Sequence, residues 1–294
     1  MKLDYEFLTG ISKDAVLYTS RKTTNILDGG YNSVYIGKSL EFLDLKDYAL
    51  GDDITSIDWK ASSRNDSILV RRYIAEKKHS VLVIADTGIK MDADTPKGSY
   101  KANIALMSLG VIGYLLGRQG SDVALAYDGK EGMVTTPFKA GGVYVEELIH
   151  TYGNSVFAEH RSDLDKLIMN ELQLFSMRRM IVFVITDIAG LRSVKYDTLS
   201  RMTERNDVYF ICIDDAFATG GRVYDRIGES YIDRFFAGSH ALKRAEKKER
   251  SRIMNRFKAD ALKNRVVLET VANEDSVVDT VLNLFERGRS GIFG

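Results

Sequence analysis

The sequence has little cysteine, proline or histidine, and each shortage excludes a class of protein. A single cysteine, Cys212, leaves no partner for an intrachain disulfide and too few thiolates for a cysteine metal site. The four histidines show no metal-ligand spacing, and the two prolines, Pro96 and Pro137, fall in predicted loops. The sequence therefore predicts neither a disulfide scaffold nor a zinc protein.

Net charge and long apolar runs are also lacking. The 41 lysines and arginines balance 41 aspartates and glutamates, so the formal net charge is +0. A dedicated nucleic-acid binder usually carries a basic domain. The most apolar helix candidate, residues 104–116, is shorter than the roughly 20 residues that a membrane span needs. The first residues are charged and show no signal peptide. We therefore expect a cytoplasmic protein with no membrane segment and no nucleic-acid partner.

What the sequence does have is three apolar runs that each end on an aspartate. Residues 81–85, 181–186 and 208–213 run into Asp86, Asp187 and Asp214. A run without polar alternation is typical of a strand that is buried on both faces. If the three strands are neighbours, their carboxylates share one rim of a sheet, which is where ligands bind in open α/β folds. Such a rim suits a cation or a basic partner.

The chain changes character near residue 80, which predicts two domains, 1–79 and 80–294. The first is expected to be a small β-rich subdomain with a leading helix. Its elements are predicted to be a helix over 3–19, glycine-rich turns over 28–37 and a half-exposed strand over 67–76.

From Ser80 onward, strands and helices alternate, which predicts a Rossmann-like α/β sheet with helices on both faces. Asp128-Gly129 is a hairpin signal. A long basic helix is expected over about 239–264, because apolar residues recur there near helical spacing. The second domain is therefore expected to supply the rim that carries the three aspartates.

The loop after the first apolar run resembles the metal-binding loop of von Willebrand factor A domains. It reads Asp86-Thr87-Gly88-Ile89-Lys90 where that family has Asp-x-Ser-x-Ser. The resemblance implies a von Willebrand factor A-type sheet and a magnesium site with Asp86 as one ligand and Asp187 as another. It also implies a loop threonine, and both Thr135 and Thr136 fit that position.

Two substitutions make this site a degenerate one. Gly88 and Lys90 stand at the two serine positions, and magnesium requires hard oxygen ligands. One interpretation is that the Lys90 ammonium takes the place of the ion between Asp86 and Asp187. The other is that Lys90 points to solvent and Asp86 caps the turn. Both predict weak or absent metal binding, and magnesium is the one cofactor left to consider.

A longer ordered string is similar to the bacterial family known as domain of unknown function 58. It comprises residues 37–48, then 51–64, and then 70–76, directly before the first strand of the sheet. The motif residues are Glu41, Phe42, Tyr48, Gly51, Asp52, Asp53, Asp58, Trp59 and Arg64. Departures from the usual pattern fall at Leu50, Thr55 and Ser63.

We expect this string to have a structural role and no catalytic one. Asp52, Asp53 and Asp58 are expected to form a buried ion-pair network with Lys60 and Arg64. Trp59 is expected to pack beneath that network.

The family resemblance implies a non-enzymatic adaptor that works with a MoxR-type AAA+ ATPase on a client protein. The rim residues expected to face the partner are Asp86, Thr87, Gly88, Lys90, Asp187 and Asp214.

Two alternatives belong to other classes. One is a magnesium-dependent phosphatase-like enzyme with Asp86 as nucleophile, although Gly88 stands where a second acid would be needed. The other is nucleic-acid binding through the long basic helix, for which a solvated helix face is the simpler interpretation.

Overall fold

The computed structural model describes residues 40–65, 67–75, 79–118, 120–156, 162–216, 224–225, 230–231 and 239–290. Within them, residues 40–75 belong to one compact unit and residues from 79 onward to another. The helix predicted over 3–19 and the turns predicted over 28–37 lie outside the described residues. The boundaries 1–79 and 80–294 therefore stay a prediction.

The small unit is built on an antiparallel strand pair, β1 (Leu40–Asp47) and β2 (Leu69–Ala75). The alternating pattern over 67–76 predicts this second strand correctly. Between the strands lie a 3-10 turn, Ile54–Ser56, and a short helix, α1 (Trp59–Ser62). Described residues of this unit thus agree with the expected β-rich character.

The larger unit alternates strands and helices along the chain, as its sequence predicts. Its strands are β3 (Ser80–Ala85), β4 (Asp122–Gly129), β5 (Gly132–Thr135), β6 (Ile181–Asp187), β7 (Asp207–Ile213), β8 (Tyr224–Asp225), β9 (Ser230–Tyr231) and β10 (Val267–Val271). Its helices are α2 (Lys101–Arg118), α3 (Gly142–Ser155), α4 (Leu164–Leu174), α5 (Ile188–Ser193), α6 (Tyr196–Thr203), α7 (His240–Lys263) and α8 (Val277–Ser290). The short helix α5 is an element that the sequence pattern did not predict.

Six strands form one sheet in the order β10-β7-β6-β3-β4-β5. All neighbouring pairs are parallel except β4 with β5, which form a hairpin. Gly129 pairs with Gly132, so the hairpin turn falls at residues 130–131, just after the Asp128-Gly129 signal. β3, β6 and β7 are neighbours, and their carboxyl ends therefore meet at one edge of the sheet.

Successive residues of each central strand pack against opposite faces. In β3, Val81 and Val83 join the core that contains α2, α3 and α8. Leu82 and Ile84 join the core that contains α4, α6 and α7. A strand covered by helices on both sides has no solvent face, which is why its sequence lacks polar alternation. The α/β fold class predicted from the sequence, with helices on both faces of a mostly parallel sheet, is confirmed.

The described helices differ in length or in apolar character from membrane-spanning helices. None of those in the described ranges combines the length and the apolar character that a membrane span requires.

Candidate functional site

The three aspartates predicted to share a rim do lie at the carboxyl ends of three adjacent strands. Asp86 follows β3, Asp187 ends β6 and Asp214 follows β7. Asp86 and Asp187 are buried, at 1% and 0% exposure. The Asp214 side chain is 47% exposed. We call the loops that follow these three strands the carboxyl rim.

Both carboxylate oxygens of Asp86 accept hydrogen bonds from side chains that other elements place around it. Ser162, just before α4, donates to Oδ1 at 2.6 Å. Thr186 in β6 donates to Oδ2 at 2.6 Å, and the Lys90 ammonium lies 2.7 Å from the same oxygen. Buried carboxylates need such partners, because an unsatisfied one is costly in the low-dielectric interior. Asp86 is therefore held on every side by groups of this chain.

The backbone around Asp86 is tied down as well. The Tyr152 hydroxyl in α3 donates to the Asp86 carbonyl, and the Asp86 N–H donates to the Ile185 carbonyl at 2.9 Å. Burial raises the pKa of the Tyr152 hydroxyl, which keeps it a proton donor. These contacts fix the end of β3 against its neighbours, so Asp86 cannot shift towards a ligand without breaking them.

Lys101, which the sequence analysis did not single out, provides the second ammonium of the rim. It is the first residue of α2 and is only 1% exposed. Its Nζ donates to Asp187 Oδ2 at 2.6 Å and also to Asp215. A lysine at a helix N-terminus faces the unfavourable end of the helix dipole. The two carboxylates compensate for that position and for the loss of solvent.

Asp187 has a second task, which also explains helix α5. Its Oδ1 accepts from the Gly190 N–H at 2.8 Å and so caps the first turn of α5. Since Oδ2 is bound to Lys101, both oxygens of Asp187 are occupied by this chain. The Lys101 ammonium on one side and the N-terminus of α5 on the other stabilise the buried Asp187 carboxylate without a bound metal ion.

Burial and like charge act together on the other carboxylates of this cluster. Burial raises the pKa of Asp86, against the opposing effect of Lys90, and the charge of Asp187 raises it further. Burial and then Asp187 raise the pKa of Asp215 as well. For Lys101, burial lowers the pKa, but Asp187 and Asp215 outweigh it and raise the pKa overall. The ammonium form of Lys101 is therefore the stable one in the folded protein.

The residues of the rim do not fit a magnesium ion. The Lys90 ammonium stands beside Asp86 rather than in solvent, and Lys101 does the same at Asp187. Magnesium requires several free oxygens in octahedral geometry, and the oxygens of both aspartates already accept hydrogen bonds. Across the described ranges, no group of three histidine, cysteine or acidic side chains is arranged to hold a metal.

Gly88 shows why the loop departs from the serine pattern. Its backbone has φ 88° and ψ −172°, a combination that only glycine adopts readily. A serine at this position would be strained, so no hydroxyl can be supplied to the rim from there. The glycine and the lysine of this loop thus belong to one local structure.

Neither candidate for the loop threonine contacts Asp86. Thr135 donates to Glu171 at 2.8 Å, and the Thr136 hydroxyl accepts from the Leu125 N–H at 2.8 Å. The hydroxyls beside Asp86 belong instead to Ser162 and Thr186. A metal role for Thr136 has no geometric support from these contacts.

Most of the predicted partner-facing residues are too buried to touch a partner directly. Thr87 is 0% exposed, and Gly88 is buried together with Asp86 and Asp187. Lys90 and Asp214 keep accessible side chains, with 21% and 47% exposure. The rim therefore consists of a buried charge cluster below two reachable groups of opposite sign.

Two features of the cluster carry weak signals in the sequence. Asp215 directly follows Asp214, so an aspartate pair after a strand was visible. Ser162 comes just before α4, and in the sequence it is a simple polar residue. Lys101 resembles an ordinary solvated lysine at a helix start, because no neighbouring residue in the sequence indicates that it is buried.

The string of aspartates in the small unit has a structural role, but its predicted partners were wrong. Asp52 pairs with Lys46 at 2.7 Å, and Asp58 pairs with Arg71 at 3.1 Å. Asp53 caps the 3-10 turn that begins at Ile54. Side chains that cap exposed turns remain near solvent, so the network is not buried.

Trp59 was also predicted wrongly. Its side chain does not pack beneath the aspartates and is 65% exposed. As the first residue of α1, it follows the capping residue Asp58, which accepts hydrogen bonds from the N–H groups of Lys60 and Ala61. The local turn, rather than an apolar core, thus sets the conformation at this position.

Two arginines of the long basic helix α7 donate hydrogen bonds to backbone carbonyls of other segments. Arg250 donates to the carbonyls of Asp215 and Ala216, both at 2.5 Å. Arg256 donates to the Leu191 carbonyl at 2.9 Å and to two further carbonyls nearby. These contacts anchor the helix beside the rim.

Comparisons with known proteins identify one family. Residues 44–218 match the model of a family described as protein of unknown function DUF58. A search of curated proteins gave no match. The matched range includes Asp86, Asp187 and Asp214.

Solved structures with similar folds share little sequence with this chain. Conserved hypothetical protein BatB from Bacteroides thetaiotaomicron is 11% identical, with a TM-score of 0.46 over 72% of this chain and 99% of its own. The pilus adhesin SpaC from Lactobacillus rhamnosus GG is 10% identical, with a TM-score of 0.47 over 74% of this chain and 31% of its own. A von Willebrand factor type A structure from Catenulispora acidiphila is 10% identical, with a TM-score of 0.39 over 76% of this chain and 44% of its own.

Proposed function

This chain belongs to the family described as protein of unknown function DUF58, and we propose that it is a non-enzymatic adaptor that binds proteins through its carboxyl rim. The observation that carries the proposal is the state of Asp86. Both of its oxygens accept hydrogen bonds, and the Lys90 ammonium neutralises it. A carboxylate held in this way shapes a surface and leaves no atom free for chemistry.

Three groups of the carboxyl rim supply the contact surface in this proposal. Ile89 is an exposed apolar side chain, at 38%, Lys90 carries a reachable ammonium, and Asp214 a reachable carboxylate. Apolar contact surrounded by complementary charges is the usual composition of a protein interface. A partner carboxylate would pair with Lys90, and the rim would bind without a bridging metal ion.

The partner class in this proposal is a MoxR-type AAA+ ATPase, with a client protein as the third component. The family resemblance implies this partnership, and the rim supports it by offering the part-exposed Lys90 ammonium on a rigid base. Because such an ATPase consumes ATP, the proposal places the interaction in the cytoplasm. The identity of the client follows from isolating the complex.

The phosphatase alternative has less support from the same residues. An aspartate nucleophile must reach a phosphorus atom, whereas Asp86 is 1% exposed and bound on both oxygens. Gly88 supplies no acid two positions later. Hydrolysis of a chromogenic phosphate ester in magnesium, lost in the Asp86→Asn variant, would support the enzyme instead.

The test of the adaptor proposal is a binding titration against the purified MoxR-type ATPase of the same organism. Wild-type protein is immobilised, and the ATPase is titrated with a non-hydrolysable ATP analogue. We expect Lys90→Ala to weaken binding about tenfold, corresponding to about 1.4 kcal/mol for one interface charge. Lys97→Ala, an exposed lysine in the same segment, should bind like the wild type.

A thermal melt of each variant separates lost binding from lost folding. If the Lys90→Ala and Lys97→Ala proteins bound the ATPase with equal affinity, the rim would not be the binding surface for the ATPase. Failure of the wild type to bind this ATPase would refute the proposed partner class. In that case Asp214→Asn and Ile89→Ser would show whether the rim binds the client.

A further inference from the structure

A second surface extends along α4 towards the edge of the sheet opposite the carboxyl rim. A groove of about 690 Å³ opens between α4 and α6. Its lining includes Phe175 and Arg178, just before β6, and Arg205 and Asn206, just before β7. These residues precede the amino ends of the strands, whereas Asp187 ends β6 at the rim. The groove extends along α4 from Lys166, four positions after Ser162, so only its far end lies a strand length, roughly 20 Å, from the rim.

Cations dominate the lining of this groove. Lys166, Arg178, Arg201 and Arg205 contribute four positive charges. Glu204 is the one acidic side chain among the described residues that line it. A chain with a net charge of +0 has no general excess of cations, so this concentration is local. A concave surface with charges of one sign attracts the opposite charge.

The cations are positioned by contacts that leave their charge uncompensated. Arg205 donates to the Ser176 carbonyl at 3.1 Å. The Arg178 guanidinium stacks 4.2 Å from the centre of the Phe138 ring, which in turn packs edge-on against Phe175. Carbonyls and rings orient an arginine without neutralising it. Both guanidinium groups are thus pre-oriented at low entropic cost.

Three carboxylates near the groove accept hydrogen bonds, and one of them forms an ion pair. Asp165 accepts from Thr198 and pairs with Lys195 at 3.2 Å. Asp163 caps α4 by accepting from the Lys166 N–H. Burial raises the pKa of Glu171, whose Oε1 accepts from Thr135. The ion pair uses Lys195, which does not line the groove, so the four lining cations outnumber the one lining carboxylate, Glu204.

The groove also offers apolar contact. Met133, Met169 and Phe175 are among its lining residues. Leu174 and Met177, on the same stretch of chain, are 59% and 88% exposed. Methionine side chains adapt to different apolar partners. A ligand for this surface should therefore combine negative charge with apolar side chains.

From this combination we infer that the groove between α4 and α6 binds an acidic segment of a partner protein, one that alternates carboxylates with apolar side chains. Its volume lies within the range of clefts that bind ligands. The apolar lining favours a peptide over a nucleic acid, whose recognition relies on phosphate contacts and on bases stacked against aromatic side chains. This site does not depend on the carboxyl rim, so the adaptor would have two separate binding surfaces.

The test is fluorescence anisotropy with a labelled peptide that repeats Glu-Glu-Leu. A peptide that repeats Glu-Glu-Ser tests the apolar component, and one that repeats Lys-Lys-Leu tests the sign of the charge. We expect saturable binding of the first peptide, at least tenfold weaker binding of the second, and none of the third. Raising the salt concentration should weaken binding, as it does for exposed charge contacts.

Charge reversal at the groove identifies the site. Lys166→Glu combined with Arg201→Glu should weaken binding of the Glu-Glu-Leu peptide at least tenfold. Both side chains are exposed, and a neutral pair, Lys166→Gln with Arg201→Gln, gives an intermediate loss if reversal disturbs folding. The matched control is Lys243→Glu with Lys247→Glu, the same change of charge on exposed residues of α7.

Two results would overturn this inference. Equal loss in the groove and α7 variants would mean that the peptide senses only overall charge. Displacement of the peptide by single-stranded polyuridylate at lower concentration than by unlabelled peptide would assign the groove to nucleic acid. Neither result depends on binding to the ATPase, which is measured at the rim.

Discussion

The Lys101 ammonium lies 2.6 Å from Asp187, although 86 positions separate the two residues in the chain. It also bonds to Asp215, so one buried cation holds the ends of β6 and β7 to the start of α2. Parallel strands have no hairpin to align their ends, and here a side chain of a helix joins them. The charge cluster at the rim therefore stabilises the fold, whatever its function.

We expect Lys101→Met to destabilise the protein strongly. The substitution leaves the carboxylates of Asp187 and Asp215 in a buried position without their cation, and removing one partner of a buried pair costs about 3–5 kcal/mol. Urea unfolding followed by circular dichroism measures this free energy. The exposed Lys97→Met should lie within about 0.5 kcal/mol of the wild type. A loss below about 1 kcal/mol at Lys101 would contradict the buried pairing.

Gly190 offers a test of how tightly the cluster around Asp86 is packed. A β-carbon there would stand 1.8 Å from the Thr186 hydroxyl and 2.7 Å from Asp86 Oδ2. We expect Gly190→Ala to cost at least about 2 kcal/mol, because overpacking forces neighbours to move. Thermal and urea unfolding provide the measurement.

The control for that substitution is Gly153→Ala in α3, where the added carbon meets Leu106 at an ordinary 3.5 Å. Alanine there should be neutral or should stabilise the helix by up to about 1 kcal/mol. If both alanines behave alike, the close packing at Gly190 is not real.

The pH dependence of stability should report on Asp215. Burial and then the charge of Asp187 raise its pKa above the ordinary value of 3.8. The folded protein therefore holds this proton more tightly than the unfolded chain does. The contribution of Asp215 to the free energy of unfolding is therefore fully present below pH 3.8. It is lost as the pH rises through the raised pKa of Asp215 in the folded protein.

Asp215→Asn lacks this titration while keeping an oxygen for Lys101. Its stability relative to the wild type should therefore increase as the pH is raised from about 4 to neutrality. Urea unfolding at a series of pH values measures the difference. The exposed Asp197→Asn serves as the reference. A constant difference across the series would show that Asp215 is not perturbed.

Metal binding should be absent at the rim in both the wild type and the Lys90→Ser variant. Removing the ammonium still leaves Asp86 bonded to Ser162 and Thr186, and Lys101 still occupies Asp187. Calorimetric titration of magnesium and manganese into metal-stripped protein measures this directly. Heat that disappears in Asp86→Ala would revive a metal site.

The fold was predictable because its signal is local. Each central strand, such as Val81–Ala85, is an unbroken apolar run, and such a run reports burial on both faces without reference to the rest of the chain. The aspartates at the strand ends follow from the same pattern. Strand order is non-local, and the sequence analysis could only assume that the three strands were neighbours.

The partners at the rim were less predictable because they depend on contacts between distant segments. One of two interpretations placed Lys90 between Asp86 and Asp187. Lys90 pairs with Asp86, but Lys101 is the lysine at Asp187. Lys101 was missed, since its burial is set by α2 packing against the ends of β6 and β7. Asp215 was overlooked in favour of Asp214, because a single residue decides which of two adjacent carboxylates turns inward.

The backbone of Gly88 constrains how this loop can change during evolution. At φ 88° and ψ −172°, the position accepts glycine and penalises every other side chain. A mutation that replaced Lys90 by serine would therefore meet a loop that still lacks the other hydroxyl. Recovering an ion site would require the loop to be rebuilt and Lys101 to be displaced in the same lineage, with each single step leaving buried charge unbalanced. Substitutions that create new protein contacts at this rim are thus accepted more readily than those that would create a metal site.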